Sequence, residues 1–166
     1  SGVSPVSAQD VFEDFKKKLK IIINGGKSKI GIESTVIDLT GKPKILRPGI
    51  ISSNEIKDFL KITLSSKRNS KIKSPGMMKK HYSPGIPIIF KGKPSKHNHA
   101  YIIFGRKHKN NQNYFNLSKK ASLKEAAANL YKILRIIKKK GYKKIFIDKI
   151  PNRGPGLAIN DRLLRA

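Results

Sequence analysis

The stretch SLKEAAANLYKILRIIKKKGYKKIFIDKI, residues 122–150, decides the fold of this chain. Ser122 is placed to cap a long amphipathic helix. The apolar residues of that helix recur at helical spacing, at Leu123, Ala126, Ala127, Leu130, Ile133, Leu134 and Ile137. Gly141 follows in the position of a C-cap, and residues 144–150 are typical of a buried strand. A long helix followed directly by an apolar strand predicts an α/β unit with a mostly parallel sheet.

The residues on either side extend this unit. Three short apolar runs upstream predict further strands, at residues 86–90, 100–104 and 114–117. Downstream, a glycine-rich turn over residues 154–158 precedes a predicted last helix over residues 159–165. Such a turn could also cradle a phosphate, but it lacks the Lys-Ser/Thr pair of a P-loop, and we favour a structural turn.

Residues 61–85 have a different composition, because Ser, Lys, Asn and Pro replace the apolar periodicity. The run is too long for an ordinary connection inside a compact domain and predicts a linker. It contains SPGMMKKHYSPG, residues 74–85, where the prolines stiffen the backbone. His81 could exchange protons near neutral pH and Tyr82 could stack on a base, although most histidines in linkers have no specific role.

Residues 1–60 carry a second group of elements. Ser7 is placed to cap a first helix, whose apolar residues recur at helical spacing at Val11, Phe12, Phe15 and Leu19. Three strands are predicted after this helix, at residues 20–23, 31–39 and 44–46. Ser52 or Ser53 is placed to cap a further helix that ends near Leu60.

A polar cleft is predicted within NGGKSKIGIESTVIDLTGKPKILRPG, residues 24–49. Ser34 and Thr35 offer hydroxyls next to glycines, where a backbone can approach a ligand closely. Arg47 precedes Pro-Gly, and a guanidinium held by a rigid turn suits a phosphate or a carboxylate. The simpler alternatives are an ordinary edge strand and a surface ion pair.

Composition narrows the possible functions. The chain has no Cys, which excludes disulfides and thiolate metal sites, and no run approaches the roughly 20 apolar residues of a membrane span.

The net charge of +27 suggests that the chain binds nucleic acid, but only seven of the 37 basic residues are Arg. We favour a solvated Lys-rich surface and keep an RNA-binding module as the alternative. His97 and His99 could bind a metal, but no third ligand is suggested.

Five segments together resemble the two-domain form of threonylcarbamoyl-AMP synthase. They are SGVSPVSAQDV (1–11), GGKSKIGIESTVID (25–38), LRPG (46–49), SPGMMKKHYSPGIP (74–87) and AINDRLLRA (158–166). The resemblance implies an α/β chain in three parts: the C-terminal part of a YrdC-like domain over residues 1–60, a linker over residues 61–85, and a small Rossmann-like domain over residues 86–166.

The resemblance also implies an activity. Such enzymes are cytoplasmic nucleotidyltransferases that form L-threonylcarbamoyl-adenylate and pyrophosphate from L-threonine, bicarbonate and ATP, with Mg²⁺ accompanying ATP. The product feeds threonylcarbamoylation of the adenosine next to the anticodon in tRNA, so tRNA is an indirect partner and no membrane is involved. By the same resemblance, Ser34 contacts L-threonine, whereas Arg47, His81, Tyr82 and Val6 lie on the nucleotide. No catalytic residue and no metal ligand is assigned.

The sequence departs from the family pattern at three places. The Lys-x-Arg pair and the Ser-Ala-Asn segment of the family would fall before Ser1, Val6 stands where Thr is usual, and Met78-Lys79-Lys80 stands where Lys-Tyr-Arg is usual. We therefore expect a C-terminal fragment that is inactive alone. It would either work with a separately encoded N-terminal half or be a decayed remnant. The rival expectation is a basic RNA- or tRNA-binding module without catalysis.

Overall fold

The structure, a computed structural model of the chain, describes residues 2–65, 82–106 and 111–166. Its helices are α1 (Ala8–Phe15), α2 (Ser53–Leu60), α3 (Leu123–Lys139) and α4 (Pro155–Arg165), with a 3₁₀ turn (Lys16–Lys18) after α1. Its strands are β1 (Val36–Asp38), β2 (Lys44–Arg47), β3 (Ile88–Ile89), β4 (His99–Ile103), β5 (Tyr114–Asn116) and β6 (Lys144–Ile147). We call residues 2–50 the tail and residues 82–166 the C-terminal unit.

The C-terminal unit is built on a four-stranded sheet in the order β3-β6-β4-β5. Every described pair in it is parallel, with Ala100 opposite Ile145 in the β4–β6 ladder. The apolar stripe of α3 is buried against this sheet, and β4 is buried along its whole length. The α/β fold with a parallel sheet that the sequence predicted is therefore confirmed.

The predicted end signals of α3 are also present. The Ser122 hydroxyl accepts a hydrogen bond from the Glu125 amide at 3.3 Å. At the other end, Gly141 adopts a φ of 74°, which glycine tolerates without strain. Together these two signals fix the length of the helix that the core packs against.

The last helix differs from the prediction, because α4 begins at Pro155 rather than at residue 159. Gly154 is its N-cap and Pro155 takes the first helical position, where a missing N–H costs nothing. Gly156 lies directly against the carbonyl of Pro151, so a side chain there would collide with backbone. The predicted turn over residues 154–158 is thus mostly the first turn of the helix.

The tail carries an antiparallel hairpin of β1 and β2. Asp38 closes its turn by accepting hydrogen bonds from the amide of Thr40 at 3.0 Å and from its hydroxyl at 2.6 Å. The caps predicted at Ser7 and Ser52 are present, and Ser52 forms a reciprocal capping box with Glu55.

Two predicted strands in the tail are wrong in whole or in part. Residues 20–23 form no strand, and Ile21 and Ile23 are 82% and 89% exposed. The predicted strand over residues 31–39 is reduced to β1, because the residues before it are engaged elsewhere. Gly31 packs on the backbone of α3, and Glu33 bonds to side chains of α3 and α4.

The tail lies on the C-terminal unit. Val3 and Ile32 are buried in the same apolar cluster as α3, α4 and the sheet. Arg135 of α3 donates to Asp10, Asp14 and the carbonyl of Val3, all between 2.8 and 3.1 Å. In the described ranges, no helix is long and apolar enough to cross a membrane.

Candidate functional site

The two predicted ligand residues of the tail contact each other. Arg47, at the end of β2, donates from Nε to the carbonyl oxygen of Ser34 at 3.1 Å and from Nη2 to the Ser34 hydroxyl at 3.3 Å. Ser34 is exposed and Arg47 is half-buried. A hydroxyl and a guanidinium therefore meet at one surface point, which suits a ligand that carries negative charge.

Local backbone geometry aims Arg47 at Ser34. The β1–β2 register pairs Val36 with Arg47 but Ile37 with Ile45, so it skips Leu46. This irregularity is a β-bulge, a feature that re-aims the side chain beside it. The bulge accounts for the end of β2 turning toward Ser34.

The segments on either side of the pair are tightly joined. A Cβ at Gly49 would collide with the backbone of Glu33, Ser34 and Thr35. The Thr35 hydroxyl donates to the carbonyl of Ile51 at 2.6 Å. Only glycine allows this approach, which explains the Pro-Gly that follows Arg47.

Glu33, directly before Ser34, is held by three donors. It accepts from the Ser4 hydroxyl at 2.7 Å, the Tyr131 hydroxyl at 2.8 Å and Nε of Arg162 at 2.9 Å. Burial alone would raise the pKa of Glu33, but these hydrogen bonds outweigh it and hold the pKa below its usual value. Burial, together with the adjacent Glu33 carboxylate, raises the pKa of Tyr131, so Tyr131 stays a neutral donor.

Arg162 of α4 is the most buried of the charged side chains that bond to Glu33 and its neighbours in the tail. Its guanidinium is 0% exposed and also donates to the carbonyl of Pro48 at 3.0 Å and to Asp161 at 2.8 Å. The ring of Tyr82 lies 4.9 Å from the guanidinium carbon. Burial alone would lower the pKa of Arg162, yet its partners raise it, so this group stays charged.

The linker residues predicted on the nucleotide have different placements. Tyr82 is buried, with its ring stacked on Tyr131 at a centroid distance of 5.8 Å. His81 lies outside the described residues. The roles assigned to both residues stay predictions.

Val6 lies away from the Ser34–Arg47 pair. Its amide donates to Asp10 at 3.0 Å and its carbonyl accepts from the Ser28 amide at 2.9 Å. It lines a groove of about 930 Å³ together with Asp10 and Arg135, and neither Ser34 nor Arg47 lines that groove. The structure therefore joins Ser34 to Arg47 and leaves Val6 on a separate surface.

A second cavity of about 520 Å³ lies next to the pair, between the hairpin and α4. Its lining includes Thr35, Leu46, Pro48 and Asn160 but neither Ser34 nor Arg47. Across the described ranges, no three His, Cys, Asp or Glu side chains are grouped so as to hold a metal ion. The Ser34–Arg47 pair offers a hydroxyl and a guanidinium, which suit an anion, whereas the cavity is also lined by Lys44 and Asp161.

Sequence reasoning missed Glu33, Tyr131 and Arg162. Glu33 and Arg162 are 129 positions apart in the sequence. Hydrophobic periodicity relates only residues that are close in sequence, so it cannot predict this pair. One signal in the sequence could have indicated Arg162. It lies on the apolar face of the last helix, and a buried arginine needs hydrogen-bond partners elsewhere in the fold.

Comparisons with known proteins show the family of the chain. Residues 51–166 match the family model described as threonylcarbamoyl-AMP synthase, C-terminal domain, and residues 1–49 match a model described as telomere recombination. The chain is 33% identical to the threonylcarbamoyl-AMP synthase of Pyrococcus abyssi and 32% identical to that of Bacillus subtilis. Each alignment covers 98% of this chain but only 54% and 53% of the relative, so the chain spans about half their length.

A solved structure gives the same result in three dimensions. The crystal structure of P. abyssi Sua5 complexed with L-threonine superposes on 99% of this chain with a TM-score of 0.82 at 33% identity, and the match covers 54% of that structure. The agreement extends over both the tail and the C-terminal unit, as the implied tail of a YrdC-like domain followed by a C-terminal α/β domain requires. The chain belongs to the threonylcarbamoyl-AMP synthase family, of which it corresponds to the C-terminal half.

Proposed function

We propose that this chain provides one wall of an active site that forms L-threonylcarbamoyl-adenylate and pyrophosphate from L-threonine, bicarbonate and ATP. The observation that carries the proposal is the contact between Ser34 and Arg47 in a chain of this family. The similar P. abyssi Sua5 was crystallised with L-threonine, which supports L-threonine as a ligand of the assembled site. The other wall would come from the N-terminal half that the relatives possess.

In this proposal Ser34 holds L-threonine through its hydroxyl. The threonine amine attacks the carbon of bicarbonate, and loss of water leaves a carbamate. A carbamate oxygen then attacks the α-phosphorus of ATP, and pyrophosphate leaves with the electron pair of the broken P–O bond. Charge accumulates on the phosphoryl oxygens during this step, so catalysis depends on positioning and on neutralising that charge.

Arg47 supplies the neutralising charge. Because its guanidinium touches Ser34, a ligand held by Ser34 lies within reach of Arg47. A planar guanidinium matches the geometry of carboxylate and phosphate oxygens better than a lysine does. Mg²⁺ would arrive with ATP, bound to its phosphates.

The nucleotide-side roles of Val6, His81 and Tyr82 remain part of the proposal. Tyr82 belongs to the linker predicted over residues 61–85. Since Tyr82 is buried in this structure, we propose that it anchors the linker and that any contact with nucleotide requires it to leave its pocket. The boundaries at residues 60 and 85, the cytoplasmic location and the indirect link to tRNA belong to the same proposal.

The exposed apolar side chains of the tail support the proposal that a further segment packs on it. Within the described ranges, seven of the twelve exposed large apolar side chains lie in the tail: Phe12, Phe15, Leu19, Ile21, Ile23, Ile30 and Leu39. A folded domain seldom exposes so many large apolar groups in one region, and such patches mark interaction sites. We propose that the N-terminal half of the YrdC-like domain covers them.

The test combines the chain with the N-terminal half of a two-domain relative, fused or added, and measures pyrophosphate release. We expect release that requires ATP, L-threonine and bicarbonate together. Ser34→Ala should raise the KM for L-threonine and Arg47→Ala should lower kcat, each by about tenfold or more, since each removes a polar contact to substrate in a site that the N-terminal half would close. Arg106→Ala, which removes an exposed Arg of the C-terminal unit, is the matched control and should change neither constant.

The alternative function predicts a different result. An RNA-binding module would give no pyrophosphate under these conditions. It would instead bind tRNA with a strong salt dependence that Arg47→Ala leaves unchanged.

A further inference from the structure

We propose that Arg162 is a positioning residue that sets the geometry of the Ser34–Arg47 pair from inside the C-terminal unit. This inference rests on the proposed function. It assigns a role in the reaction to the C-terminal unit, which is to hold the Ser34 and Arg47 side chains of the tail at a fixed distance from each other.

One guanidinium bridges the two segments that carry the pair. Arg162 donates from Nε to Glu33 at 2.9 Å and from Nη2 to the carbonyl of Pro48 at 3.0 Å. Glu33 directly precedes Ser34, and Pro48 directly follows Arg47. Since Arg47 in turn bonds to Ser34, the five residues form a closed ring of covalent and hydrogen bonds. Arg162 therefore holds both segments that carry the pair, in addition to the backbone contact at Gly49.

The bridge is rigid. The Arg162 side chain is 0% exposed, and its third nitrogen, Nη1, bonds to Asp161 at 2.8 Å. Glu33 is fixed independently by Ser4 and Tyr131. A buried ion pair of this kind is weak evidence for stability, because desolvation offsets most of the attraction, whereas it is well suited to fixing one geometry.

The interaction requires the shape of arginine. Three nitrogens of one planar group reach acceptors on three residues, Glu33, Pro48 and Asp161. A lysine in this place would keep the charge but would present a single nitrogen, so it could not hold both tail segments.

Arg162 also reaches the linker. The ring of Tyr82 lies 4.9 Å from the guanidinium carbon, a cation–π distance, and Tyr82 directly follows His81. All three segments that carry the predicted substrate contacts near the cleft are thus tied to one group of α4. This convergence favours a positioning role over simple helix packing.

The test is a mutant cycle on the assembled two-half protein, with kcat/KM for L-threonine as the readout. Arg162→Lys alone should lower kcat/KM by roughly tenfold to a hundredfold, since small misplacements at a reacting centre have effects of that size. In a background that carries both Ser34→Ala and Arg47→Ala the same change should lower it by no more than about twofold, because both side chains that Arg162 positions are already truncated. A purely structural role would instead give effects that multiply.

Two further variants keep the result interpretable. Glu33→Gln retains an oxygen acceptor for Arg162. It replaces Arg162→Lys if circular dichroism shows that the lysine variant does not fold. Its effect on kcat/KM should likewise be lost, rather than multiply, in the background that lacks the positioned side chains. Lys139→Gln removes an exposed ion pair between the same two parts of the chain and should act independently of Ser34→Ala and Arg47→Ala. Effects that multiply for both Arg162→Lys and Glu33→Gln would overturn the inference while leaving the proposed function intact. An assembled wild type that forms no pyrophosphate would overturn both.

Discussion

At the scale of single residues, the candidate site depends on how closely two backbone segments approach each other. Gly49 lies against the backbone of Glu33, Ser34 and Thr35, and the Arg47 side chain spans the same gap. The approach is what brings the hydroxyl of Ser34 within reach of a guanidinium. A side chain at this glycine has no space to occupy.

The first prediction concerns this approach. Gly49→Ala should lower the free energy of unfolding by about 1–3 kcal/mol, because the added methyl group must push two backbone segments apart. Gly41→Ala is the matched control, since nothing lies within 4 Å of a Cβ at that position in the same hairpin. Denaturant unfolding of the two variants checks the prediction, and equal stabilities would contradict it.

The second prediction concerns the charge on Glu33. Hydrogen bonds hold the pKa of Glu33 below its usual value near 4.5, although burial opposes this shift. A lowered pKa in the folded state stabilises the protein above that usual value, and the contribution is lost as the pH falls through the folded-state pKa. Glu33→Gln should therefore be less stable than the wild type near neutral pH, and the difference should shrink below about pH 4.5. Unfolding curves at a series of pH values would show this; a difference that does not change with pH would count against it.

At the scale of elements, α3 and α4 hold the tail through two buried or half-buried arginines. Arg135 of α3 binds Asp10 and Asp14 of α1, and Arg162 of α4 binds the residues around the candidate site. These forks, rather than a continuous sheet, join the tail to the C-terminal unit. Val3 and Ile32, buried in the shared apolar cluster, add an apolar contribution to these charged contacts.

The third prediction tests the role of Arg135. Arg135→Lys should increase hydrogen exchange of the α1 amides by about tenfold, because a lysine cannot reproduce the paired bonds to Asp14 and the bonds to Asp10. Lys139→Gln is the control on the same helix; Lys139 is 72% exposed, and exposed pairs contribute little. Similar exchange rates in both variants would show that α1 is held by other contacts.

The elements that the sequence predicted well are those whose signals are local. Ser122 and the apolar stripe of α3 defined a helix, and Ser52 defined the start of α2, since caps and periodicity act within one or two turns. Residues 31–35 were predicted as strand because their composition favours one, but Glu33 is drawn to Arg162, a contact that no local pattern contains. The contact between Ser34 and Arg47 agrees with the predicted cleft, whereas the substrate roles of both residues await experiment.

At the scale of the whole molecule, the tail has a buried side and an apolar exposed side. Val3 and Ile32 enter the core shared with the C-terminal unit, while Phe12, Ile21 and Ile23 are more than half exposed. The relatives are about twice as long as this chain, and we propose that their additional length covers the exposed side of the tail. This arrangement is expected of one half of a divided domain.

The fourth prediction follows from that surface. Replacing both Ile21 and Ile23 with Ser should change the stability of this chain alone by less than about 0.5 kcal/mol, since both side chains are exposed. The same change should weaken binding to the N-terminal half by tenfold or more, because burying an isoleucine contributes about 1.5–3 kcal/mol. Isothermal titration calorimetry measures the affinity, and Leu164→Ser, an exposed apolar change outside the tail, is the control. An unchanged affinity in the double variant would contradict the proposed covering of this surface.

The central claim, that this chain completes a site for threonylcarbamoyl-adenylate synthesis, is tested most directly by identifying the product. The assembled two-half protein would be incubated with ATP, L-threonine and bicarbonate labelled at carbon, and the adenylate analysed by mass spectrometry. We expect L-threonylcarbamoyl-adenylate that carries the label, with less of it formed by Ser34→Ala and Arg47→Ala than by Arg106→Ala. A folded assembly that forms no labelled adenylate would show that this chain does not complete such a site.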